Sequence, residues 1–175
     1  MMCLMVLSIC MLISCTRDDD ETNSGGVSNS GAESNDTYVD LGLPSGTKWK
    51  ASNEIKAADA QYVFFTYDEA VSRFGNRLPT KEQYEELKAV CQWMWNGSGY
   101  RVTGPNGNYI VLPASGYRDC SGNGYRVVYV GSYGYYWSST PDGSDDAWDL
   151  YFSSSSVCMY NDSRCVGGSV RLVQD

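Results

Sequence analysis

Between Ala147 and Tyr160 the chain shows the same two-residue period twice, with four serines between. In Ala147–Phe152, Trp148, Leu150 and Phe152 share one face and Asp149 and Tyr151 the other. After Ser153–Ser156, Val157 and Met159 face the core while Cys158 and Tyr160 face outward. Period two marks a half-buried strand, and a slip of one residue would turn every apolar side chain to water. The stretch therefore predicts a hairpin whose register is held by its apolar face. Its outward positions are Asp, Tyr, Ser, Cys and Asn, and residues 142–146 and 161–165 add more of the same.

Upstream, Tyr38-Val39-Asp40-Leu41 alternates and Pro44-Ser45-Gly46 reads as a turn. Two short helices follow. Thr66 with Glu69, and Thr80 with Gln83, have capping-box spacing, and Gly75 stops the first helix. Tyr84, Leu87 and Cys91 recur at helical spacing, against Lys81, Glu82, Glu85, Glu86 and Lys88 on the other side. Beyond Trp93 no further helix is predicted. Short strands at Arg101–Thr103, Tyr109–Leu112 and Arg126–Val130 alternate with Gly, Asn and Pro turns, and Val170 and Leu172 suggest a last strand. This order predicts an α+β domain over 37–175. Fourteen Tyr, five Trp and 18 Gly suit many strands and turns, not a long helical bundle.

Residues 1–14 are apolar and uncharged, too short to span a bilayer, and predict a secretory signal. Leu12-Ile13-Ser14-Cys15 resembles a bacterial lipobox, which makes Cys15 the expected lipidation site and lipid the expected membrane contact. Residues 15–36 then read as lipidated Cys plus an acidic, Ser/Gly-rich tether that lacks the apolar surface to fold. The run Arg17-Asp18-Asp19-Asp20-Glu21 resembles the acidic export signal of Bacteroidota lipoproteins. The expected location is the outer membrane, facing outward.

The chain has no histidine, which excludes His-based metal sites and Ser-His or Cys-His catalysis. A net charge of -8 without a basic stripe argues against nucleic acid as a partner. Asp145-Asp146 and Glu85-Glu86 are sequence neighbours that point apart and so make no acid–base pair. The Asp142–Asp146 loop lacks a calcium motif's spacing, and a solvated turn is expected there. Gly104–Asn108 reads as a hairpin turn, and Trp93 and Trp95 as core. No cofactor and no metal are expected, and the domain is read as a non-enzyme.

Several segments carry a family resemblance: Tyr38–Trp49, Arg77–Leu87, Val102–Leu112, Pro113–Arg118, Gly134–Thr140 and Gly168–Val173. In this order they resemble the Fibrobacter succinogenes major paralogous domain, common in lipoproteins of gut Bacteroidota. The resemblance implies a C-type-lectin-like fold, with two helices packed on antiparallel sheets. It does not imply lectin activity, since Glu-Pro-Asn and Trp-Asn-Asp are absent. A narrower resemblance is to target proteins of diversity-generating retroelements, in which adenine-rich codons are randomised. It implies a hypervariable surface, because the outward residues fit the set reachable from an AAC codon.

The expected ligand-binding residues, within about 142–168, are Asp149, Tyr151, Ser153, Ser155, Cys158, Tyr160, Asn161, Asp162, Ser163 and Cys165. Tyr gives broad contact area at low entropy cost, and Ser and Asn give adaptable hydrogen bonds. The expected partner is a protein or glycan at the cell surface. One alternative is a structural subunit of a surface or pilus-like assembly. Another is a formylglycine-type or carbohydrate-active enzyme, for which scattered cysteines are the only support. Four cysteines besides Cys15 remain after signal removal, and they allow three pairings. Cys158–Cys165 would staple a six-residue loop, Cys91–Cys120 is a second candidate, and Cys91 reads otherwise as a buried thiol.

Overall fold

The computed structural model describes residues 37–55, 63–121 and 126–175. The signal sequence, Cys15 and the tether lie outside the described residues. Helix α1 (Tyr67–Phe74) and helix α2 (Lys81–Val90) sit among eleven strands: β1 (Tyr38–Asp40), β2 (Lys48–Lys50), β3 (Gln92–Trp95), β4 (Gly99–Thr103), β5 (Tyr109–Pro113), β6 (Tyr117–Asp119), β7 (Arg126–Val128), β8 (Tyr133–Asp142), β9 (Asp146–Ser153), β10 (Ser156–Ser163) and β11 (Val173–Gln174). They form four small antiparallel sheets, ordered β1-β2-β11, β3-β4-β5, β6-β7 and β10-β9-β8. The expectation of an α+β, C-type-lectin-like domain is corrected: the described chain is mainly β. Two capping boxes mark where helices start, but only eight and ten residues follow them, and the apolar alternation fills short strands instead.

Both boxes form. Thr66 Oγ1 accepts from the Glu69 N–H while Glu69 Oε2 accepts from the Thr66 N–H. Thr80 Oγ1 and Gln83 Oε1 do the same for α2 at 3.2 and 2.9 Å. Helix starts leave N–H groups without intrahelical partners, and these side chains satisfy them. Thr80→Ala is expected to cost about 1 kcal/mol, read as a lower urea midpoint at unchanged slope. Tyr84, Leu87 and Cys91 are buried as their spacing requires.

The hairpin forms with the expected residues on its apolar face, Val157 lying opposite Phe152 and Met159 opposite Leu150. One face of the β8–β9–β10 sheet packs Tyr136, Leu150 and Phe152 with Trp49, Tyr84 and Leu87 in the main core, and Val157 and Met159 pack against it. The other face begins a second core, in which Trp137 and Ala147 meet Phe65, Ala70 and Phe74. Trp148, expected in the core, is half-buried with the Lys81 ammonium 3.3 Å from its ring centre. The last strand is Val173–Gln174; Val170 and Leu172 are buried just before it. β7 ends at Val128 because Tyr129 turns the chain with φ at +60°.

Cys120 is bonded to Cys165, and Cys91 and Cys158 are free. Both expected pairings are therefore corrected. Cys158 lies within β10, and the extended run from it to Ser163 covers roughly 17 Å. A disulfide needs Cα atoms within about 7 Å. Cys91 is held in the apolar face of α2, and burial pushes its thiol pKa up to about 11. It is a small hydrophobe there.

Candidate functional site

Antiparallel registry places Tyr135, Tyr151 and Cys158 in one row across β8, β9 and β10, and Trp137, Asp149 and Tyr160 in the next. Side chains in a row share a face. Toward the hairpin end the second core stops, and this face is left to tyrosines. Tyr151 stacks on Tyr133 at 5.7 Å and meets Tyr135 edge-on at 5.2 Å, with Tyr160 6.2 Å away. Strand β6 comes alongside and sets Tyr117 4.9 Å from Tyr135. Tyr129 joins Tyr117 and Tyr133 at 6.1 and 5.0 Å. A non-glycine residue in the left-handed region is uncommon and costly, so the turn that delivers this ring carries strain.

Gly116 lets β6 approach. Its φ is +70°, and a Cβ there would lie 2.0 Å from the Val128 carbonyl oxygen. It bridges to Gly134 of β8, which brings Tyr117 beside the sheet. The Cys120–Cys165 bond then ties the residue after β6 to the loop after β10.

Between them lies a cavity of about 420 Å³ lined by Tyr117, Asp119, Tyr135, Tyr151, Tyr160, Asp162 and Val166. That volume is within the range of small-ligand sites. Burial raises the pKa of Tyr117, Tyr135 and Tyr151, so their hydroxyls are neutral donors and acceptors at physiological pH. Asp119 accepts from the Ser121 N–H and hydroxyl, which lowers its pKa and keeps it ionised. Burial, with the Asp146 charge second, raises the pKa of Asp162.

Asp149 shares this face, as alternation predicts, but is buried, with 1 % of its surface exposed. Its expected outward presentation is corrected: the parity is right, while the surrounding structure covers it. Neither carboxyl oxygen has a hydrogen-bond partner.

Of the other expected residues, Tyr151, Tyr160 and Asp162 line the cavity. Ser153 and the free thiol of Cys158 continue the same face at the hairpin end. Ser155 is in the exposed hairpin turn. Asn161 has the opposite parity and donates to Asp142 Oδ2 at 2.6 Å. Ser163 and the disulfide-bonded Cys165 line a more open depression with Thr66, Asp68, Ser144, Asp145 and Arg164. In the Asp142–Asp146 loop, Arg164 donates to the Gly143 and Asp146 carbonyls. Among the described residues no group of three or more Cys, Asp or Glu could hold a metal ion, and no helix is long and apolar enough to cross a membrane.

Sequence reasoning missed Tyr117, Asp119, Tyr129, Tyr133 and Tyr135. The i, i+2 spacing of Tyr133 and Tyr135 was the available signal, once β8 is paired with β9. Fold and site together define a mainly β domain with a tyrosine-walled, acidic cavity. Residues 92–173, which include every lining residue of that cavity, match a family described only as a domain of unknown function (DUF8237). No curated protein and no solved structure matches the chain.

Proposed function

We propose that this chain is a surface-exposed lipoprotein whose domain binds a protein or glycan ligand through the tyrosine face of the β8–β9–β10 sheet. The observation that carries this is the convergence of six tyrosine rings from five separate segments, four of the rings lining one open cavity. Rigid aromatic rings on paired strands make contact area that is ordered before a ligand arrives. The apolar leader, Leu12–Cys15 and the acidic run support lipid anchoring and outward display. Kinship with paralogous surface lipoproteins and with diversified target proteins belongs to the same proposal. It is supported by Tyr151, Ser153, Cys158, Tyr160 and Asp162 falling on one face over a separate core. A structural subunit of a surface assembly is the second reading, favoured by the exposed apolar group Val127, Tyr129 and Val130 beside the cavity.

The test is a glycan and peptide array probed with wild type and Tyr160→Ala. Tyr160 is 53 % exposed, so its truncation is expected to leave stability within about 0.5 kcal/mol. Binding to the selected ligand is expected to fall at least tenfold. Undiminished binding by Tyr160→Ala and by Tyr151→Ala would remove this face as the binding surface. Cys15→Ser is expected to move the protein from the membrane to the soluble fraction.

A further inference from the structure

We propose that the cavity takes a positively charged organic group, an ammonium or guanidinium on a short stem, seated against Asp149 and Asp162 and ringed by Tyr117, Tyr135, Tyr151 and Tyr160. This rests on the tyrosine face being a binding surface and names the ligand chemistry that surface selects.

The first support is Asp149. It is almost wholly enclosed, and both oxygens lack a hydrogen-bond partner. Most buried side-chain polar atoms in proteins have one, and a buried carboxylate without a cation is costly. Its aim follows from the strand. Asp149 shares parity with Tyr151 two residues on, and lies opposite Tyr160 in register. Both neighbours line the cavity while Asp149 itself is enclosed, which places the carboxyl beneath that lining on the same face of the sheet. The titratable groups that face it are Asp162 and Tyr160 of β10, Tyr135 of β8, Tyr151 of its own strand and, across the sheet, Tyr84 of α2. None of these is a cation.

The second support is the wall. Asp162 and Asp119 add two more carboxyls to the same cavity, whose lining holds no Lys or Arg. Arg126 pairs with Asp119 in the β6–β7 ladder, and Arg118 lies between Tyr117 and Asp119 with the opposite parity. Tyrosine ring faces attract cations, more strongly where water is excluded. The donor set also selects among cations. Ca²⁺ takes six to eight oxygen ligands, whereas no metal-holding group of three or more Cys, Asp or Glu occurs among the described residues. An organic cation brings its own N–H donors and an apolar stem that suits tyrosine rings.

Binding is coupled to protons. Burial first, and the Asp162 charge second, hold the Asp149 pKa well above the usual carboxylate range. The empty site therefore keeps its proton to higher pH, and an arriving cation displaces it. Cation affinity rises with pH, and binding releases a proton.

The experiment is calorimetric titration of the full-length protein in neutral detergent, with the disulfide intact. The probes are n-butylammonium, n-butylguanidinium, neutral 1-butanol and calcium chloride, at pH 5 and pH 8. At pH 8 at least one of the two cations is expected to bind ten times or more tighter than 1-butanol. This preference should shrink at pH 5, and the heat should vary with the buffer's ionisation enthalpy. Asp149→Asn is expected to abolish the preference, and Asp162→Asn to reduce it two- to fivefold. Equal binding of 1-butanol, a preference that survives both substitutions, or tighter binding of calcium than of either cation would overturn the proposal. If the ammonium wins, the site reads lysine-like ligands; if the guanidinium, arginine-like ones. A ligand from the arrays that needs Tyr160 but neither Asp149 nor Asp162 would overturn the cation assignment and leave the binding face standing.

Discussion

Arg171→Leu is expected to lower stability by about 3–5 kcal/mol, the largest loss of any single substitution considered. The guanidinium is 1 % exposed and spends its donors on backbone and amide oxygens. Nε donates to Asn53 Oδ1 at 2.9 Å, Nη1 to the carbonyls of Lys50 and Ala51 at 2.8 and 2.6 Å, and Nη2 to the Val111 carbonyl at 2.6 Å. One side chain thus joins the end of β2, the segment after it and β5 to the stretch before β11. Leucine would fill part of the volume and remove the donor from four acceptors, the Lys50 bond being buried and the other three partly so. Each acceptor left unsatisfied costs about 1–3 kcal/mol before relaxation. Lysine is expected to rescue little, because a single ammonium cannot span the directions that a planar fork serves. The measurement is a urea titration of both variants. A loss under 1 kcal/mol for Arg171→Leu would show that these oxygens find other partners.

Asp149→Asn is expected to act in the opposite direction and stabilise the empty protein by about 1–3 kcal/mol at pH 8. The folded protein holds the Asp149 proton more tightly than the unfolded chain does, since burial raises this pKa. Wherever the native state binds more protons, stability falls as pH rises. The Asp149 contribution is therefore fully present below the unfolded carboxylate pKa and is lost as pH rises through the folded one. Asn does not titrate, so the substitution should flatten that limb of the stability–pH curve. Urea midpoints of the two proteins from pH 4 to pH 9 give the comparison. Parallel curves would mean that Asp149 is not the group responsible. A gain in stability together with a loss of cation binding would mark Asp149 as kept for recognition at a cost in folding.

Local rules were legible in the sequence to the residue. Both capping boxes, the buried side of α2 and the shared apolar face of Leu150, Phe152, Val157 and Met159 follow from spacing alone. Alternation also put Asp149 and Tyr151 on one face. It does not say what lies over that face, and the cover differs along a single strand. Ala147 meets α1, Asp149 is enclosed, and Tyr151 opens to the cavity. That gradient depends on β6 and the 164–167 loop, which are distant in sequence from Asp149. Cys120–Cys165 was missed for a related reason. Short spacing favoured Cys158–Cys165, and only the extended geometry of β10 forbids it. Arg171 gave no local signal, since its partners come from three segments far upstream. The fold class was misjudged because clear helix starts weighed more than the small number of residues that followed them.

The Cys120–Cys165 bond gives the cavity a history as well as a shape. Its walls come from residues 117–119 and 135, then 151–166, so both sides exist only once the chain has been made through residue 166. The latch closes later still, and only where thiols are oxidised. A chain emerging in a reducing compartment carries the sheet and its core but an unlatched rim. If the chain is exported as proposed, passage into an oxidising compartment would be a maturation step for the cavity. For the exported, ligand-binding lipoprotein proposed above, recognition would then begin only after the latch has closed outside the compartment of synthesis.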